Sequence, residues 1–195
     1  MRFDARRMVA GRGLLVTLVA AGALAAGGAT AAIAAADGGE GGSPSGDSPA
    51  RTAVSLTQAA DTALRAVPGK VQEIELDGEH GTTVWEVDVL TGDGAGRKVV
   101  IDSGSGKVVA DRPEKQDEDD RGEAAALRNA KATVAGAAAA ALKAVPGHAT
   151  SVGFDRDGGR AVWEVDVTGA GGTEHEVVVD AATGRVVAEE ADDDD

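Results

Sequence analysis

The chain has no cysteine and no tyrosine, and aromatic side chains make up only 2% of its 195 residues. Without cysteine there is no disulfide framework, thiol nucleophile, Cys-based zinc site or lipobox anchor. Basic side chains are also scarce: 19 Lys and Arg stand against 33 Asp and Glu, a formal net charge of −14. A charge of that sign repels nucleic acid and anionic lipid, which excludes nucleic-acid binding and favours basic partners. Large apolar side chains are few beside the many Ala and Gly, so any core is small. Units of about 55–65 residues are only marginally stable on their own.

What is present begins with a basic segment, MRFDARRMVAGRG, followed by an uncharged run from Leu14 to Ala36. A basic start, an apolar middle and small residues at A-x-A spacing make residues 1–36 a signal peptide. The alternative is an uncleaved signal anchor through residues 14–36, since about 20 apolar residues span a bilayer. Both place the rest of the chain outside the cytoplasm. Losing residues 1–36 removes four arginines and one aspartate, leaving 15 basic and 32 acidic side chains. Residues 37–53, rich in Gly, Ser and Pro, read as a flexible linker.

From Val54 the text becomes periodic. Ser55 with Gln58 forms a capping-box signature, and apolar residues at helical spacing run to Val67, where Pro68-Gly69 ends the helix. The period then changes to two. Strands are predicted over Val71–Leu76, Thr82–Leu90 and Arg97–Asp102, with a short run KVVA after a turn at 103–106. One helix followed by an antiparallel meander is an α+β pattern.

The same text is then written again at a fixed offset of 78. LRAVPG (64–69) falls on LKAVPG (142–147), Trp85 on Trp163, Asp102 on Asp180, and GKVVA (106–110) on GRVVA (184–188), without a gap. Such a constant register marks a tandem duplication. It predicts two similar small domains, 54–111 and 123–189, each one helix on a three- to four-stranded meander. An acidic linker, 112–122, joins them and an acidic tail, 190–195, follows. The second helix is expected as one piece from about Glu123 to Val145, and Pro146-Gly147 ends it.

Both tryptophans lie in the repeated phrase VWEVDV (84–89 and 162–167). In a strand, Trp85, Val87 and Val89 face one way while Glu86 and Asp88 face the other, and Trp163, Glu164 and Asp166 repeat this. The tryptophans are therefore expected in the core. Glu86, Asp88, Glu164 and Asp166 form a solvated face, a partner-binding surface for a basic protein, or a weak calcium site; no other cofactor is implied. No nucleophile, phosphate loop or H-E-x-x-H spacing accompanies them, so no catalytic residue is expected. His80, His148 and His175 have no histidine counterparts in the other copy. Asp102 and Asp180 are expected to cap their turns with side-chain hydrogen bonds, and Gly106 and Gly184 to supply the left-handed turn positions.

These residues resemble the PepSY domain family. The pattern of helix, A-V-P-G, strand, W-E-V-D-V and V-D-x-x-x-G-x-V-V is carried by ALRAVPG (63–69), VWEVDV (84–89) and VVIDSGSGKVV (99–109). It recurs in ALKAVPG (141–147), VWEVDV (162–167) and VVVDAATGRVV (177–187). Trp85 and Trp163 stand where the family often has Tyr. The resemblance implies a non-catalytic module that modulates or inhibits a peptidase, here an extracellular one acting as a separate protein. It implies that Trp85, Trp163, Pro68, Gly69, Pro146 and Gly147 determine the fold. The other reading is a membrane-anchored envelope sensor or accessory protein binding a basic partner or calcium.

Overall fold

The computed structural model describes residues 52–79, 82–115 and 118–191. The signal or anchor segment, nearly all of the 37–53 linker, His80 and the last four residues of the tail lie outside the described residues.

Ser55 opens α1 (Leu56–Ala66) as an N-cap. Its side chain accepts from the Gln58 amide, and Gln58 Oε1 accepts from the Ser55 amide at 2.9 Å. The buried stripe of α1 is Leu56, Ala59, Ala60 and Ala63, mostly small residues that let the helix sit close to the sheet. The chain leaves through Val67 and Pro68 directly into β1 (Gly69–Glu79). It continues through β2 (Thr82–Thr91), β3 (Gly96–Asp102) and β4 (Val108–Glu114).

The second helix is two helices, which corrects the single span expected over 123–145. α2 covers Glu118–Asn129 and α3 covers Val134–Ala144. Thr133, the counterpart of Ser55, caps α3 by accepting from the Gly136 amide at 3.2 Å. Just before it, the amides of Lys131 and Ala132 both donate to the Ala181 carbonyl, at 3.0 and 2.9 Å. These bonds tie the connection to the turn after β7 and break the helical run. The charged stretch 112–122 is thereby shared between the end of β4 and the start of α2. After Pro146 come β5 (Gly147–Asp157), β6 (Arg160–Gly169), β7 (Glu174–Asp180) and β8 (Val186–Ala191).

Each repeat is an antiparallel meander, so the α+β class holds, with two helix-plus-sheet units. The units share one eight-stranded sheet in the order β4-β3-β2-β1-β5-β6-β7-β8. β1 and β5 join antiparallel through Glu73–Gly153, Ile74–Val152 and Glu75–Ser151. α1 and α3 pack on each other, and each touches the first strand of the opposite repeat. One apolar cluster runs through both halves, from Leu56 and Trp85 to Trp163 and Val179.

Both tryptophans are 1% exposed. Trp85 Nε1 donates to the Val54 carbonyl at 2.9 Å, and Trp163 Nε1 donates to the Ala132 carbonyl at 3.1 Å. Those two acceptors are themselves 78 residues apart. Each ring thus fills the core and satisfies its one polar atom on the residue preceding a helix cap. Phe154 adds an edge-on ring contact to Trp163, centroids 5.2 Å apart.

The turns are built as the sequence predicts. Asp102 Oδ1 accepts from the Ser105 amide (2.7 Å) and hydroxyl (2.5 Å), and Asp180 Oδ1 from the Thr183 amide (2.8 Å) and hydroxyl (2.7 Å). These bonds hold both carboxyls below their usual range. Gly106 and Gly184 both have φ of 69°, the left-handed conformation that glycine adopts freely.

Candidate partner-binding face

Strand alternation sends Glu86, Asp88, Glu164 and Asp166 to the side of the sheet opposite the tryptophans and helices. The register then shows which groups meet them. Glu86 lies between Glu75 and Val100, and Asp88 between Glu73 and Lys98. Glu164 lies between Gly153 and Val178, and Asp166 between Ser151 and Glu176. The four predicted residues occupy the two rows that flank the β1–β5 junction.

The halves differ in charge. In the first, Lys98 Nζ reaches Glu86 at 2.9 Å and Asp88 at 3.5 Å, and Arg112 lies 3.7 Å from Glu86. The corresponding positions of the second half hold Glu176 and Glu190. The acids of the first half are therefore ion-paired rather than merely solvated. Those of the second stand among further acids. Lys98, Arg112, Glu75 and Glu176 were not singled out from sequence, although the 78-residue offset lays Lys98 on Glu176 and Arg112 on Glu190.

Burial raises the Asp88 carboxyl to about 7, with Lys98 opposing and Glu73, Glu114 and Glu86 adding to the rise. Burial likewise raises Glu164 to about 7, reinforced by Asp155, Glu176 and Asp166. One oxygen of each, Asp88 Oδ1 and Glu164 Oε1, is buried with no hydrogen-bond donor. A carboxylate so placed is disfavoured relative to the neutral acid.

The consequence for stability has a definite sign. A folded-state value above the unfolded one means that the native chain binds more protons between about pH 4 and 7. The contribution of these two carboxyls to stability is therefore fully present below that window and is lost as pH rises through it. The melting temperature is expected to drop from pH 5.5 to pH 8. Glu164→Gln should recover of the order of 1 kcal/mol at pH 8, after allowance for solvent screening at this partly buried site. A thermal melt of wild type and variant at both pH values tests this, and equal pH slopes would refute the assignment to Glu164.

Among the described residues, no three His, Asp or Glu side chains gather in an arrangement that could hold a metal ion. The calcium alternative has no assembled ligand set there. His148 lies on β5 and His175 on β7, and the buried Nδ1 of His175 has no hydrogen-bond partner. No helix among the described residues is long and apolar enough to cross a membrane.

A duplicated helix-on-meander, joined edge to edge with its acids on the open face, defines a tandem α+β module. Residues 53–112 and 124–190 each match the PepSY family, the peptidase propeptide and YPEB domain, and the chain belongs to that family. Three solved structures are similar. A candidate lipoprotein from Clostridium difficile 630 is 22% identical with a TM-score of 0.44, over 72% of this chain and 95% of that one. The YpmB protein from Bacillus subtilis is 17% identical with a TM-score of 0.30, over 69% and 94%. The YpeB C-terminal domain from Bacillus megaterium is 14% identical with a TM-score of 0.29, over 72% and 66%. A comparison with curated proteins finds no match.

Proposed function

We propose that this chain is a non-catalytic binding protein that acts outside the cytoplasm and restrains an extracellular peptidase. The observation that carries the reading is the acidic open face, in which the second half replaces the pairing cations Lys98 and Arg112 by Glu176 and Glu190. Membership of a family described by its peptidase propeptides supports the choice of partner. Restraint would be steric: the open face, or an edge strand by strand addition, covers the approach to the enzyme's cleft. Among the described residues, β4 and β8 are the outermost strands of the sheet, and Val109 and Val187 on them are 59% and 45% exposed.

The test is incubation of the purified protein with peptidases secreted by the same source. Slowed hydrolysis and co-purification of at least one enzyme are expected. Inhibition should weaken as salt rises, because screening acts on exposed charge pairs. Absence of both inhibition and co-purification across the set overturns the peptidase reading.

A further inference from the structure

The 78-residue shift relates the β1–β5 junction to itself as well as the two sequences. Exchanging the halves maps Glu73–Gly153 onto Ser151–Glu75 and leaves Ile74–Val152 in place. A local two-fold axis therefore passes through Ile74–Val152. Only these three positions pair, because a register shift interrupts each strand, between Val71 and Glu73 and between Ala149 and Ser151. The axis consequently has a space on either side of it.

On one side that space is filled from within the chain. α2 packs against β1 and β5 there. Lys70 Nζ donates to the carbonyls of Leu127, Arg128 and Ala130 at 3.0, 2.9 and 3.3 Å, completing the end of the helix. Gln72 Nε2 lies 3.5 Å from Glu123 Oε2. A Cβ on Gly122 would stand 3.7 Å from the Arg156 guanidinium.

On the other side, Thr150 and Gly78, the counterparts of Gln72 and Arg156, border a cleft of about 400 Å³. Leu76 gives it an apolar wall, and Glu75, Asp166 and Glu174 bring carboxylates to it. Two charge differences between the halves fall on this side of the axis. Glu174 replaces Gly96, and Glu176, paired with Asp166, replaces Lys98. Burial, together with Asp77 and Glu86, already raises the Glu75 carboxyl, with Lys98 opposing. A cation seated beside it would relieve that penalty.

We infer that this cleft docks a lysine- or arginine-bearing peptide segment of a partner protein, seated where α2 sits on the opposite side of the two-fold axis. The shape follows from the related space, which the fold itself fills with a peptide segment. The charge follows from the three carboxylates that border the cleft. The inference rests on the binding reading above but not on the partner being a peptidase.

Fluorescence anisotropy of a labelled octapeptide of alternating Lys and Leu, titrated with the full chain at physiological salt, tests it. An octapeptide of alternating Glu and Leu is the control. The Lys peptide should bind and the Glu peptide should not. Gly78→Phe places a ring in the cleft, and a Cβ at Gly78 meets nothing within 4 Å, so the melting temperature should hold. That variant, and Glu75→Gln/Glu174→Gln, should each weaken the Lys peptide by about tenfold or more, while Asp61→Asn on the exposed side of α1 changes it by less than about twofold. No binding of the Lys peptide overturns the inference. So does equal binding to wild type and to both cleft variants, which would mean only general attraction to an acidic surface. A chain that binds the Lys peptide through the cleft but inhibits no peptidase keeps this site and loses only the peptidase reading.

Discussion

Replacing Trp85 by alanine should destabilise both halves of the molecule together, by about 3–5 kcal/mol. The ring is 1% exposed at the centre of its half, and truncation leaves a large cavity between β2 and α1. It also strips the Val54 carbonyl of its donor, loosening the chain one residue before the Ser55 cap. Sequence alone, read as two separate domains, predicts loss of the first domain only. The shared sheet and the packing of α1 on α3 change that expectation. Trp163 remains as the sole tryptophan in the variant and reports on the second half alone. A urea titration followed by its fluorescence and by far-UV circular dichroism should give coincident midpoints, both well below wild type. If Trp163 keeps the wild-type midpoint, the halves unfold independently. Trp85→Phe keeps an aromatic core residue but not the N–H, so it should cost less, about 1–3 kcal/mol, from the unmet carbonyl and the smaller ring.

Much of this architecture is legible in the text because the duplication supplies its own control. The meander, the inward tryptophans, the Asp-capped turns and the left-handed glycines each appear twice at one offset, and each is local to a strand or turn. What is not legible depends on contacts distant in sequence. The break between α2 and α3 comes from Lys131 and Ala132 bonding to Ala181, some fifty residues away, a gap that no helical periodicity contains. Thr133 could have disclosed it, since it lies 78 residues after the Ser55 cap. The join between β1 and β5 leaves no sequence signal, because three paired positions on two bulged strands look like any other alternation. The acids of VWEVDV were readable as a face, yet their state was not. Whether such a carboxylate is solvated, ion-paired or pushed towards neutrality depends on burial and on the adjacent strand: Lys98 pairs with Glu86 and Asp88, yet burial raises Asp88 as it raises Glu164 beside Glu176.

Gly69 and Gly147 carry the second large effect, for a reason different from ending a helix. Neither has a left-handed φ. Each opens the first strand of its half directly after the proline, where that strand passes very close to the second. A Cβ on Gly69 would press into the Leu90 carbonyl oxygen, with Val89 Cγ1 at 2.8 Å and the Leu90 carbonyl carbon at 3.0 Å. On Gly147 it would press into the Thr168 carbonyl oxygen, with the Gly169 Cα at 3.0 Å. The obstacles are mostly backbone in a paired ladder and cannot rotate away, so the strands must separate. Two effects then compete in Gly69→Ala. Relief of glycine's entropy cost favours alanine by about 0.5–1 kcal/mol. Overpacking against a fixed backbone opposes it by about 1–3 kcal/mol or more and should win. Gly69→Ala and Gly147→Ala are each expected to lower the urea midpoint. Gly78→Ala, in the same strand as Gly69 with open space around its Cβ position, should leave the midpoint unchanged or raise it. That contrast separates steric exclusion from backbone propensity. If all three variants shift the same way, close approach of β1 to β2 and of β5 to β6 is not why these positions are glycine.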